Sequence, residues 1–268
     1  PASAPPSEPE LTAGLHGSAT LEPGTAYRIL RWIWRTVATL LMLRIDVAGL
    51  EHLPRDAAGK PAGGWIAAGL PHRTWIDPFV PWIALPIRPR LTFFGDARTM
   101  ARSPLRRFVM ARLGGVVPIP AGHHRSTVPI HLAAAAEVLG RDGVFLLFPE
   151  TGPATPPGTI RRLGSGIGYM AIRNRAPIVP IVLGGTHELY LGRRIVMRIL
   201  SPLDPIALAG LSDGPIPAPD TPGERAAVHR LLKALGETVA GPVLAAHDQV
   251  EPPPGTRKRW RFLTTAFR

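Results

Sequence analysis

The chain of 268 residues contains no cysteine, which excludes a disulfide scaffold, a thiolate zinc site, an iron–sulfur cluster and a cysteine nucleophile. Lysine is scarce as well. Lys60, Lys233 and Lys258 are the only three, so a net charge of +12 is carried almost wholly by arginine. Arginine favours bidentate contact with phosphate, as found in nucleic acid, anionic membranes or phosphorylated substrates. No recognisable nucleic-acid module and no interleaved aromatic and basic pattern accompanies that charge, so nucleic acid is not the expected partner. Long hydrophobic runs are missing too. Thr36–Leu43 is the best candidate, and it lies between Arg35 and Arg44, far short of the ~18 residues a membrane span needs. The first residues lack the basic and apolar regions of a signal peptide. These absences lead us to expect a protein peripheral to the cytoplasmic face of a membrane. Internal repeats, a G-x-G-x-x-G turn and a P-loop are also absent.

What is present describes a folded globular chain, with 45% hydrophobic and 19% charged residues. Residues 1–24 are rich in Pro, Ser, Glu and Ala and read as a disordered tail. From Tyr27 to Leu43 the text YRILRWIWRTVATLLML predicts a helix, with Arg28, Arg31 and Arg35 on one stripe and Trp32 and Trp34 near its basic end. Such an amphipathic helix can lie on a bilayer with its arginines toward headgroups. Trp65–Gly69, Val116–Pro120, Val144–Phe148, Ile178–Leu183 and Arg194–Leu200 read as strands, and Pro129–Leu139 and Ile167–Asn174 as helices. Asp77-Pro78 and Ser103-Pro104 carry helix-start chemistry, and Thr221-Pro-Gly-Glu224 is a capping box that opens a helix of about 25 residues. Strands alternating with helices predict an α/β fold. Proline inside the apolar run 176–182 predicts an edge strand or a bulge there.

Two places could carry chemistry. His72 and Asp77 form H-x-x-x-x-D between a buried strand and a helix start. An imidazole there can remove a hydroxyl proton, while a carboxylate on its other nitrogen fixes the tautomer. In LLFPETG, residues 146–152, Pro149 breaks a strand and delivers Glu150 and Thr151 at its carboxyl end. That carboxylate could accept a substrate hydroxyl or brace a neighbouring loop. His123-His124 and His187-Glu188 read as loop residues rather than metal ligands, since adjacent side chains point apart and no third ligand is spaced nearby.

In order, H-x-x-x-x-D, LTFFGDARTM…LGGVVPIP (91–120), FPE and VPIV resemble the four blocks of the glycerolipid acyltransferase family, over about residues 60–185. The resemblance implies a mixed, mainly parallel sheet flanked by helices, preceded by the amphipathic helix. Together with the composition, it leads us to expect a tail (1–24), a membrane-surface helix and linker (25–58), an acyltransferase domain (59–250) and a basic tail (251–268). It implies transfer of a fatty acyl group from acyl-CoA or acyl-carrier protein to a lysophospholipid hydroxyl such as that of 1-acylglycerol-3-phosphate. His72 would be the general base, Asp77 its orienting acid, and Glu150, Thr151 and Gly152 would lie at the acceptor. No metal and no cofactor beyond the acyl thioester is implied. Pro71 stands where the family has Asn, and F-P-E-T-G-P replaces F-P-E-G-T-R, so the family's phosphate-gripping Arg is missing; Arg125, Arg161 and Arg162 are the nearby replacements. A non-phosphate lysolipid or glycolipid acceptor, or a catalytically silent lipid-binding protein, would account for the same departures.

Overall fold

The computed structural model describes residues 22–41, 43–96, 116–119, 128–152, 155–211 and 214–264. Nearly all of the expected tail 1–24, the Ser103-Pro104 helix start and His123-His124 lie outside them. Seven strands form one sheet: β1 (Arg44–Ala48), β2 (Trp65–Leu70), β3 (Leu91–Asp96), β4 (Val116–Ile119), β5 (Val144–Leu147), β8 (Ile178–Gly184) and β9 (Arg194–Ile199). Their spatial order is β1-β9-β8-β2-β5-β3-β4, and every pairing is parallel except β8–β9. A two-stranded antiparallel ribbon, β6 (Glu150–Thr151) with β7 (Arg162–Leu163), stands apart from it. The helices are α1 (Thr25–Leu40), α2 (Phe79–Ala84), α3 (Val128–Gly140), α4 (Gly166–Asn174), α5 (Pro205–Leu208) and α6 (Pro222–Asp248).

Alternation along the strands splits the core in two. Ile66, Ala68, Leu70, Phe145, Ile178 and Val182 face α3, α4 and α6. Trp65, Ala67, Leu146, Val179, Ile181 and Leu183 face α1 and α2. Because β2 and β8 are covered on both faces, all their residues are buried and both read as unbroken apolar runs.

Three expectations change. First, β8 is central rather than an edge, and the irregularity beside Pro180 is an extra residue on the β9 side. Pro180 sits opposite Ala68 of β2, and its carbonyl accepts from Leu200 N at 2.9 Å. The ladder to β9 begins only at Ile181, and Ser201-Pro202 loops out before Ile178 meets Leu203, so the missing proline donor falls where β9 has left the ladder. Second, β1 belongs to this sheet, which therefore reaches ahead of residue 59, the expected domain start. Third, the basic end of the chain folds back: Lys258 and Arg261 pair with Glu188 at 2.5 and 2.9 Å, and Leu191 N donates to Arg259 O.

Half of the capping box forms, and the Glu224 side chain reaches one residue beyond the N-cap amide. Thr221 Oγ1 accepts Glu224 N, and Glu224 Oε2 accepts Asp220 N. Fully buried Glu224 also takes a two-pronged contact from Arg173 of α4, at 2.6 and 2.9 Å. Arg173 holds the Glu224 carboxyl below its ordinary range of about 4.3. A depressed carboxylate stabilises the fold above its unfolded value, and that stability is lost as pH falls through the lower folded value. Glu224→Gln should therefore cost about 2–3 kcal/mol at neutral pH, less than the ~3–5 of a fully buried pair because Arg173 is partly exposed. The deficit should shrink on acidification below about pH 4; denaturant melts at pH 7 and pH 3.5 that differ from wild type by the same amount would refute this.

Candidate active site

The carboxyl ends of three neighbouring parallel strands, β8, β2 and β5, converge at one edge of the sheet, where open α/β sheets place their ligands. β2 leaves the sheet through a cis Leu70–Pro71 peptide into His72-Arg73-Thr74. The Asp77 side chain is fully buried. Its Oδ2 accepts from His72 Nδ1 at 2.8 Å, from Arg73 N and from Thr74 N at 2.6 Å. Asp77 therefore does not cap the following helix, as its place before Pro78 suggested; α2 begins at Phe79 without a side-chain cap. The His72 side chain is 46% exposed. With Nδ1 on the carboxylate, Nε2 is the ring nitrogen available to a substrate.

Phe148, just past β5, stacks on the His72 imidazole with ring centroids 4.5 Å apart. The ring reaches it by crossing Gly69 of β2, where a Cβ would come within 2.4 Å of the Phe148 ring. Sequence reasoning saw Phe148 as the end of a strand and the start of FPE, with no link to His72.

Glu150 plays the second of the two roles its position allowed. Its Oε2 accepts His72 N at 2.8 Å and its Oε1 accepts Arg161 N at 2.7 Å, so the carboxylate ties the β2 exit to the ribbon. Across the ribbon Thr151 Oγ1 donates to Arg162 O, and Gly152 turns the chain with φ 87°. His72, Thr151, Arg161 and Arg162 line one groove, whose apolar wall includes Phe94, Leu146, Ile167, Tyr169, Met170 and Leu232. Glu150 and Gly152 do not line it. Arg161 is half-buried with its Nε unpartnered, Arg162 is exposed, and Arg125 lies outside the described residues. No set of metal ligands assembles at this groove among the described residues.

Arg73 was a variable position in H-x-x-x-x-D, yet it organises the rim. Its guanidinium donates to Thr155 O and Oγ1 at 3.0 Å, and to the carbonyls of Pro156 and Thr159. Burial lowers the pKa of this guanidinium and Glu150 pulls it back up. On the other side the Thr74 hydroxyl donates to Thr186 O at 2.9 Å, beyond the end of β8. Only coordinates could join these residues, because their partners lie 82 to 112 positions away in the chain.

A family model described as Acyltransferase matches residues 44–184, more than half of the chain. No curated protein matches the chain significantly by sequence. Among solved structures, the chain is similar to the crystal structure of the 1-acyl-sn-glycerophosphate (LPA) acyltransferase PlsC from Thermotoga maritima. The TM-score is 0.53 at 18% identity, over 80% of this chain and 79% of that one. That likeness is one of fold, a mixed and mostly parallel sheet flanked by helices. The matched stretch contains His72, Asp77 and Glu150, and by that match the chain belongs to the Acyltransferase family.

Proposed function

We propose that this acyltransferase moves a fatty acyl group from an acyl thioester, of CoA or a carrier protein, to the free hydroxyl of a lysophospholipid such as 1-acylglycerol-3-phosphate. The observation that carries the reading is the 2.8 Å contact of buried Asp77 with His72 Nδ1, where His72 lines a groove with an apolar wall and a charged rim. His72 Nε2 takes the hydroxyl proton as the acceptor oxygen attacks the thioester carbonyl. The tetrahedral intermediate then expels the thiolate, which recovers that proton from the imidazolium. Asp77 supports the imidazolium in between, and no acyl-enzyme is formed.

Arg161 supplies the cation for the acceptor phosphate. Its amide is fixed by Glu150, and its side chain lines the same groove as Thr151 and His72. Arg162 is exposed and gives weaker, water-screened attraction.

Membrane attachment rests on a different surface from the expected arginine stripe. Arg31 is buried; its guanidinium donates to the carbonyls of Ile83 and Leu85, so it meets no headgroup. The outward face of α1 is apolar instead, with Ile29, Trp32, Ile33, Val37 and Leu40 in helical spacing, Trp32 66% and Leu40 72% exposed. No helix among the described residues is long and apolar enough to cross a membrane. This face suits the bilayer interface, with Arg28 and Arg35 left at its margins.

Three outcomes are expected. His72→Ala, folded by circular dichroism, should lose at least ~10²-fold in thiol release and diacyl product; equal turnover by the variant, or none by wild type with any lysolipid, would favour the catalytically silent alternative. Arg161→Ala should raise KM for phosphate-bearing lysolipids about tenfold or more and leave neutral acceptors unchanged, the loss of one charge-assisted contact; an equal effect on both would point to a non-phosphate acceptor. Trp32→Ser with Leu40→Ser should weaken partitioning onto lipid vesicles by at least ~10-fold, as loss of buried apolar area requires; undiminished vesicle binding would move the lipid surface elsewhere.

A further inference from the structure

Away from the groove, the loop after β8 and the end of α6 bring together two imidazoles and a carboxylate. His187 and His247 lie ring to ring at 5.5 Å, and His247 Nε2 is 3.8 Å from Glu251 Oε2. One ligand atom from each of His187, His247 and Glu251 falls within 4.8 Å of the other two. We propose that these three residues form a binding site for a divalent transition ion, zinc in the first place, that fastens the C-terminal end of α6 to the β8 loop.

The chemistry of the donors selects the ion. Two imidazole nitrogens and one carboxylate oxygen without a thiolate make up a three-ligand zinc set, with a water as the fourth ligand. Bonds of about 2.0–2.2 Å in a tetrahedron place donors roughly 3.4 Å apart. His247 and Glu251 are already close to that separation. His247 sits in the last turn of α6 and Glu251 three residues past its end, where the chain turns back toward it. The Glu251 side chain is half exposed and can swing inward without disturbing the core.

The backbone beneath is built for close approach. A Cβ at Gly184 would come within 2.3 Å of Ala246 O, so the end of β8 lies directly against the last turn of α6, and His187 and His247 extend from those two points. Gly158, in the rim loop pinned by Arg73, abuts the His247 ring, where a Cβ would approach to 2.9 Å. His187 follows Thr186, whose carbonyl holds the Thr74 hydroxyl. The ion would thus stiffen the support behind both loops that flank His72. Adjacency in sequence had paired His187 with Glu188, but Glu188 is taken by Lys258 and Arg261; the real neighbours of His187 come from sixty residues on.

The test uses tag-free full-length protein stripped with chelator and titrated with zinc alone, followed by calorimetry and by a thermal melt. Wild type should take up one zinc per chain and melt higher with it, since an ion bound only by the folded state stabilises it. His187→Ala should bind at least ~10²-fold more weakly and lose the zinc-dependent rise, because even outer-shell changes cost 10–100-fold. A His123→Ala, His124→Ala double variant should match wild type. Cobalt in place of zinc should show the visible band of a four-coordinate ion in wild type and not in His187→Ala. If His187→Ala does not fold, exposed Glu251→Ala takes its place with the same expectation. No zinc uptake by wild type, or unchanged affinity in His187→Ala or Glu251→Ala, overturns the site.

Discussion

One oxygen atom, Oδ2 of Asp77, holds the carboxyl edge of this sheet together. Burying a carboxylate is costly unless donors replace its water, and all that compensation falls on Oδ2, since Oδ1 is buried without a partner. Two of its three donors are the successive amides of Arg73 and Thr74, so the carboxylate closes a tight turn as well as gripping the His72 ring. Everything nearby is attached to that turn. Glu150 takes its first amide, Arg73 reaches from it to the 155–159 loop, and Thr74 reaches to Thr186. Imidazole position, ribbon and rim are thereby one hydrogen-bonded unit. Such a network is worth most when every member is present, and it leaves little freedom to the His72 ring.

Much of this was legible in the sequence, and the boundary is physical. His72 with Asp77 and Phe148-Pro-Glu150 could be read because each is a local pattern at the end of a buried strand. The strands could be read because a sheet covered on both faces leaves uninterrupted apolar text. The α6 capping box could be read because both its partners lie within one turn. What failed depended on residues far away in the chain. Pro180 signals an edge only if a neighbouring strand needs its missing donor, and that hinges on where β9 departs. Glu150 could have faced substrate or backbone, and the choice was made by amides 78 and 11 positions away. The stacking of Phe148 on His72 gave no local signal, although Gly69, a glycine inside an otherwise apolar strand, marked a close approach.

Helix α1 shows how one local pattern can mislead. Three arginines at helical spacing look like a solvated stripe, yet the interior claimed Arg31. The reason lies in α2, which has only six residues and leaves terminal carbonyls without intrahelical donors. Ile83 and Leu85 take theirs from the Arg31 guanidinium. A buried arginine is tolerable there because carbonyl oxygens replace part of its lost hydration, while burial still lowers its pKa. Around it Tyr27 meets Trp82 edge-on at 5.6 Å and Trp34 stacks on Phe79 at 4.6 Å. The inward face of α1 is therefore committed to α2, the helix that begins two residues after Asp77, and the apolar outward face stays exposed. A helix seated in the interface by that outward face would be coupled rigidly, through α2, to the turn that carries His72. Arg31 is thus an internal clamp between α1 and α2 rather than one more charge on the surface.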